Sequence, residues 1–377
     1  MPVHPAITDP HVRAHLERLA ARAGTIPSGA TDADGDDAAR IAELRANPSW
    51  VRMPDDETLE SIDLDAAGLA LRLYRPRDGH RGTLVFAHGG GWVAGNLDNN
   101  DALCRALALA TGTQVLSVDY RLAPEHPFPA GLDDLDRALR FAASGADGLI
   151  DPARLGVAGH SAGGNLAAAL ALRAREGRAP GIRVQVLLCP VLDVPDPARP
   201  SYRAHTDDLP LTARGMEWYW GLYLGDAADA APGADAAAGA DAAAGPDAGG
   251  PALVDAAPLR AVAVDASAPV DVALVEAAPL RAAALDAAAP AEAALVEAAP
   301  LRAAALDAAA PAVIVAAEVD PLSDEAEEYA DRLAASGVPV TFVRRAGVPH
   351  LFLVFPSTPA RDEVLAQVAP AVRAAFA

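Results

Sequence analysis

The sequence predicts an α/β fold: a mostly parallel central sheet flanked by helices, with small helical segments outside it and a low-complexity repeat insertion. Three observations lead there. Short apolar runs alternate with helix-patterned segments from about residue 69 to 189. Glycine-rich turns close two of those runs, at 88–91 and 159–164. Residues 226–311 then abandon the alternation for Ala, Asp, Gly and Pro. Strand and helix must alternate in a parallel sheet, because each return to the starting edge needs a crossover of helix length.

Taken in order, residues 10–24 and 36–46 place apolar positions at helical spacing, with Leu16 and Leu19, then Ile41 and Leu44, sharing a face. The runs 69–75, 83–87, 114–119, 154–158 and 183–189 read as strands, and 102–110, 131–143 and 162–175 as the helices among them. Around 196–225, Trp218, Tyr219, Trp220 and Tyr223 gather in a chain that is only 5% aromatic. They mark a small helical segment, and each ring taken singly reads as core at least as well as it reads as pocket wall. Beyond the insertion, 313–319 and 340–343 are again strand-like.

The insertion has two parts. Residues 226–250 hold no apolar side chain larger than Ala, so they have nothing with which to build a core. A 21-residue unit then begins at Val254, Val275 and Val296, and the second and third copies share their first 17 residues. Prolines at 258, 269, 279, 290, 300 and 311 cut helices short, and large apolar residues are too few for a stacked solenoid. With 10 Asp, 3 Glu and 3 Arg, the tract 226–311 supplies −10 of the chain's −21. The expected organisation is N-terminal helices in 1–50, a core in 51–225 with a helical segment at about 196–225, a disordered or poorly packed insertion in 226–295, and the rest of the core in 296–377.

Gly159-His160-Ser161-Ala162-Gly163 fits the G-x-S-x-G pattern, with an apolar run before it and Ala- and Leu-rich residues after it. That is the strand, sharp turn and helix of a nucleophile elbow. Alone, in a Gly- and Ala-rich chain, the pentapeptide is better explained as an ordinary strand-to-helix turn. Its context shifts the balance. His88-Gly89-Gly90-Gly91 ends another apolar run, where amides unshielded by side chains can meet a developing oxyanion. A merely flexible loop has no need to end a β-like run and lead into Trp92.

A serine nucleophile needs a base, and in elbow-type hydrolases the chain order is Ser, acid, His. Of the nine histidines only His205 and His350 follow Ser161, and only His350 follows a strand. Asp320, at the end of the run Val313–Val319 and directly before Pro321, is the preferred acid. It sits at the strand end where α/β sheets place ligands, within reach of orienting an imidazole. Asp324 is the fallback, and Glu318 points along the strand.

These residues resemble the hormone-sensitive lipase family of α/β-hydrolases, its bacterial carboxylesterase branch in particular. The resemblance runs from about Tyr74 to the C-terminus, the insertion excepted. It rests on His88-Gly89-Gly90-Gly91-Trp92, on Asp119-Tyr120-Arg121-Leu122-Ala123-Pro124-Glu125-His126-Pro127-Phe128-Pro129-Ala130, on the Ser161 elbow, and on Asp320-Pro321-Leu322 before Asp324-Glu325. It implies an α/β-hydrolase fold and a catalytic triad of Ser161, Asp320 and His350. It also implies an oxyanion hole from the amides of Gly89, Gly90 and Ala162, and a cap formed by the N-terminal helices and 196–225. Two positions depart from the family pattern: His160 stands where the family has Asp, and Leu351 where it has Gly. A Pro-Leu-Arg segment occurs once in the family, just before the acid's strand, so the first two repeat copies read as expansion.

Composition agrees. A charge of −21 argues against nucleic acid as a partner. No apolar stretch reaches the roughly 18–20 residues of a membrane span, and the N-terminus lacks a signal-peptide core, so a cytoplasmic location is expected. Cys104 and Cys189 read as buried free thiols rather than as a disulfide or metal site. No cofactor and no metal is expected. The expected partner is a small-molecule ester, and a homo-oligomer is compatible with the sequence.

Overall fold

The computed structural model describes residues 3–23, 36–46, 52–205, 209–225, 289–355 and 358–377. The strands are β1 (Leu59–Asp65), β2 (Ala70–Pro76), β3 (Thr83–Ala87), β4 (Gln114–Val118), β5 (Leu155–His160), β6 (Gln185–Leu188), β7 (Ala312–Val319) and β8 (Val340–Pro349). They form one sheet in the order β1-β2-β4-β3-β5-β6-β7-β8. β3 to β8 run parallel, while β2 is antiparallel to both of its neighbours. The helices are α1 (Pro10–Ala23), α2 (Asp37–Arg45), α3 (Asp101–Thr111), α4 (Ala130–Ala143), α5 (Ala162–Arg175), α6 (Pro200–Ala204), α7 (Ala213–Leu224), α8 (Ala289–Ala298), α9 (Ser323–Ala335) and α10 (Pro359–Ala375).

Period-two alternation sends successive side chains to opposite faces, so both faces of these strands must be apolar. Val85, Val157, Leu187 and Ile314 pack with residues of α4, α5, α8 and α9. Leu84, Phe86, Ala158, Val186 and Val315 pack with residues of α1, α3 and α10 on the other face. Among the described residues no helix is long and apolar enough to cross a membrane.

Two elements differ from expectation. β1 was not foreseen: its Glu60, Ser61, Asp63 and Asp65 suit an edge strand paired on one side only and give no apolar run. The second is α8. It starts inside the stretch expected to stay unpacked and carries Leu295 into the core. Pro290 does not prevent this, since at the second helical position its missing N–H would have no intrahelical partner. Residues 226–288 lie outside the described residues, and with them the first repeat copy and all of the second except residues 289–295.

The third copy is built into the fold. Glu297 pairs with Arg173 and Arg178, and the buried Asn165 side chain donates to Ala298 O at 2.8 Å. Leu301 N donates to Leu192 O, and Arg302 Nε to Asp193. Deleting 232–288 is therefore expected to leave a folded variant, because shortening a loop changes closure free energy by only about a kcal/mol. Extending the deletion to 295 removes Leu295 and should cost about 2 kcal/mol or more, read as a lower Tm. Equal melting of the two variants would show that α8 contributes nothing.

Candidate active site

The elbow is forced by close packing. Ser161, between β5 and α5, holds φ 57° and ψ −121°, a left-handed conformation that a non-glycine residue keeps only where its surroundings impose it. A Cβ on Gly159 would lie 2.0 Å from Gly163 O, and one on Gly163 would lie 2.0 Å from Ala87 O. No side chain fits at either position. Ser161 N donates to Leu188 O at 2.9 Å, which fixes the turn to β6.

Parallel strands deliver their ends to one rim. Ser161 follows β5, Asp320 follows β7 and His350 follows β8, and all three are buried. His350 Nε2 lies 2.8 Å from Ser161 Oγ, and Nδ1 lies 2.7 Å from Asp320 Oδ2. The other Asp320 oxygen accepts from Leu322 N at 3.0 Å. Asp324 is engaged elsewhere, accepting from Ser201 N at 2.8 Å, and Glu318 accepts from Gly347 N. His205 sits edge-on to His4. Leu351 belongs to a short 3-10 turn, His350–Leu353, and has no positive φ, so a glycine is not required there.

The glycine turn follows β3. Gly90 and Gly91 have φ of 129° and 62°, and a Cβ on Gly90 would meet Ala94 O at 2.0 Å. Among the described residues no hydrogen bond engages the amides of Gly89, Gly90 or Ala162. His88 holds the turn from behind, with Nδ1 2.9 Å from Gly89 O and its ring stacked on Tyr120, whose hydroxyl donates to His88 O. Beside the turn, Tyr219 of α7 packs on Gly91, and Trp92 stacks on Tyr223 at 4.1 Å. α2 joins this group. Asp37 accepts from Trp218 Nε1 at 2.8 Å, and Arg45 reaches Val93 O, Ala123 O and Glu125.

A family model for the alpha/beta hydrolase fold matches residues 84–257 and 258–354. The chain belongs to this family. Its place is in the hormone-sensitive-lipase-like group. Carboxylesterase NlhH of Mycobacterium tuberculosis is 37% identical over 226 residues, covering 57% of this chain and 69% of the relative. Ethyl acetate hydrolase of Pseudomonas putida is 40% identical over 173 residues, 44% of this chain and 54% of the relative. Among solved structures, a thermostable esterase from Pseudomonas putida ECU1011 superposes with a TM-score of 0.70 at 27% identity, over 99% of both chains.

Two residues of this family member gained significance only in three dimensions. Cys189, just past β6, has its sulfur among the side chains of Asp320 and His350. Only the adjacency of β6 and β7 brings it there, and no sequence pattern announces that adjacency. His160 is buried, its ring stacked 5.6 Å from that of His350 and pressed against Gly89. Neither ring nitrogen makes a hydrogen bond of ordinary geometry among the described residues.

Burial holds His160 down to about 3, helped by the neighbouring His350, and holds His88 down to about 4. Both rings thus stay neutral in the folded protein but take up protons near pH 6.5 once unfolded. Their contribution to stability is complete above about pH 6.5 and is lost as pH falls toward the folded values, at up to about 1.4 kcal/mol per pH unit for each. Buried Glu325, raised well above its ordinary value, acts with the opposite sign. The informative comparison is therefore His160→Asn against wild type. The Tm of the variant should decline less between pH 6.5 and 4.5, and equal slopes would contradict the assignment.

Proposed function

We propose that this chain hydrolyses carboxylic esters of short or medium acyl chain through an acyl-enzyme. Ser161 attacks the ester carbonyl while His350 Nε2 takes its proton. Asp320 holds the Nδ1 tautomer and stabilises the imidazolium. The amides of Gly89, Gly90 and Ala162 meet the oxyanion. His350 returns the proton to the leaving alcohol, and a water activated by the same imidazole releases the acid. The observation that carries this reading is the continuous relay Asp320–His350–Ser161, with links of 2.7 and 2.8 Å. The preference for short acyl groups follows from likeness to the ethyl acetate hydrolase.

Fluorophosphonate labelling, followed by a panel of matched esters and amides, tests it. Stoichiometric labelling at Ser161, with esters turned over faster than their amides, is expected. Absence of label would point to a non-catalytic scaffold, and faster amide turnover to an amidase or deacetylase.

A further inference from the structure

We propose that Cys189, Asp320 and His350 form a site for a thiophilic divalent cation whose binding switches the hydrolytic centre off. The loss of activity rests on the catalytic reading above; the binding does not. One sulfur, one carboxylate oxygen and one imidazole nitrogen lie within 4.8 Å of one another, all on buried residues. A tetrahedral ion with sulfur at about 2.3 Å and N or O at about 2.0–2.2 Å separates its ligands by about 3.2–3.7 Å. The Asp320–His350 pair is already closer than that, at 2.7 Å, and must part slightly. The thiol must approach by about 1 Å, which is within the reach of a side-chain rotation.

Charge favours occupancy. A thiolate, a carboxylate and a neutral imidazole sum to −2 and cancel a dication, so the filled site adds no net charge to a buried region. Ligand chemistry sets the class of ion. Sulfur and nitrogen supply two of the three donors, which suits Zn²⁺ or Cd²⁺ and disfavours Mg²⁺ and Ca²⁺, ions that take oxygen ligands. Binding forms three metal–ligand bonds and releases one proton, from the thiol, while the Nδ1 proton of neutral His350 moves to Nε2. Affinity therefore rises with pH. Inhibition follows because the hydrogen bond that orients the base is replaced by a metal bond, and Nε2, now carrying the ring proton, cannot accept one from Ser161. The role is inhibitory, so chelators should leave resting activity intact.

Two measurements on the full chain test this: Co²⁺ titration followed by thiolate-to-metal charge-transfer absorption in the near ultraviolet, and Cd²⁺ inhibition of ester hydrolysis. Wild type should show a one-to-one absorption band and slow-onset inhibition reversed by EDTA. Cys189→Ala, or Cys189→Ser if the alanine variant does not fold, should lose the band and tolerate roughly 100-fold more Cd²⁺ relative to its own metal-free rate. Cys104→Ala should behave as wild type. Ser161→Ala should keep the band although inactive, because the serine is no ligand; full activity in that variant would sink the catalytic reading and leave the site standing. No band in wild type, or unchanged Cd²⁺ sensitivity in the Cys189 variants, would overturn the proposal.

Discussion

Ser161→Ala, His350→Ala and Asp320→Asn are each expected to lower ester kcat by about 10⁴-fold or more, and the triple variant by little more than the worst single one. In the proposed mechanism the three side chains act as a unit, so removing any one would disable the proton transfer that the others serve. Asp320→Asn is the sharpest case, because an amide can present its NH₂ to His350 Nδ1 and so favour the wrong tautomer. Asp324→Asn should remain near wild type, since Asp324 accepts from Ser201 N rather than from the imidazole. Steady-state kinetics on one activated ester checks all of these. A dead Asp324→Asn beside an active Asp320→Asn would move the acid four residues along the chain.

Gly163→Ala should have the largest effect on stability. The added methyl would sit 2.0 Å from Ala87 O and 2.5 Å from both Ala87 C and His88 O. These are main-chain atoms of a central strand and of the glycine turn that follows it, and they cannot rotate away. The start of α5 must shift off β3, at a cost of about 3 kcal/mol or more, in the range where core overpacking is felt globally. Loss of soluble expression or a fall in Tm of several degrees is expected. Gly177→Ala is a control for strain without crowding, since nothing lies within 4 Å of its Cβ position although its φ is +71°.

The sequence disclosed those parts of the molecule that short-range chemistry dictates. Ser161 was legible because the elbow needs glycines on either side, and those glycines are spaced in the chain as they are in space. His350 and Asp320 were legible because chain order removed almost every competitor and strand ends supplied the rest. Cys189 was not legible: its value comes from a neighbour 131 positions away, reached only through the β6–β7 pairing. His160 was visible as a departure from the family pattern, yet its stacking on His350 depends on the rotation of a ring, which no spacing encodes. β1 hid behind its polar edge residues. α8 hid because alanine-rich repeats carry the same local signal in every copy, whereas the packing of Leu295 and the partners of Glu297 and Ala298 exist only in the folded chain.

The order in which the rim is assembled also bears on biosynthesis. Ser161 and the glycine turn leave the ribosome early, on strands β3 and β5 at the middle of the sheet, while Asp320 and His350 arrive on β7 and β8 at one side of it. A nascent chain can thus form the nucleophile's turn and still hold an unactivated serine for nearly 190 further residues. On the proposed mechanism, esterolysis would begin only after His350 has emerged and β8 has paired with β7. On that mechanism, messages truncated anywhere between codons 161 and 350 would yield fragments without hydrolytic competence, so premature termination in that interval would release no stray esterase.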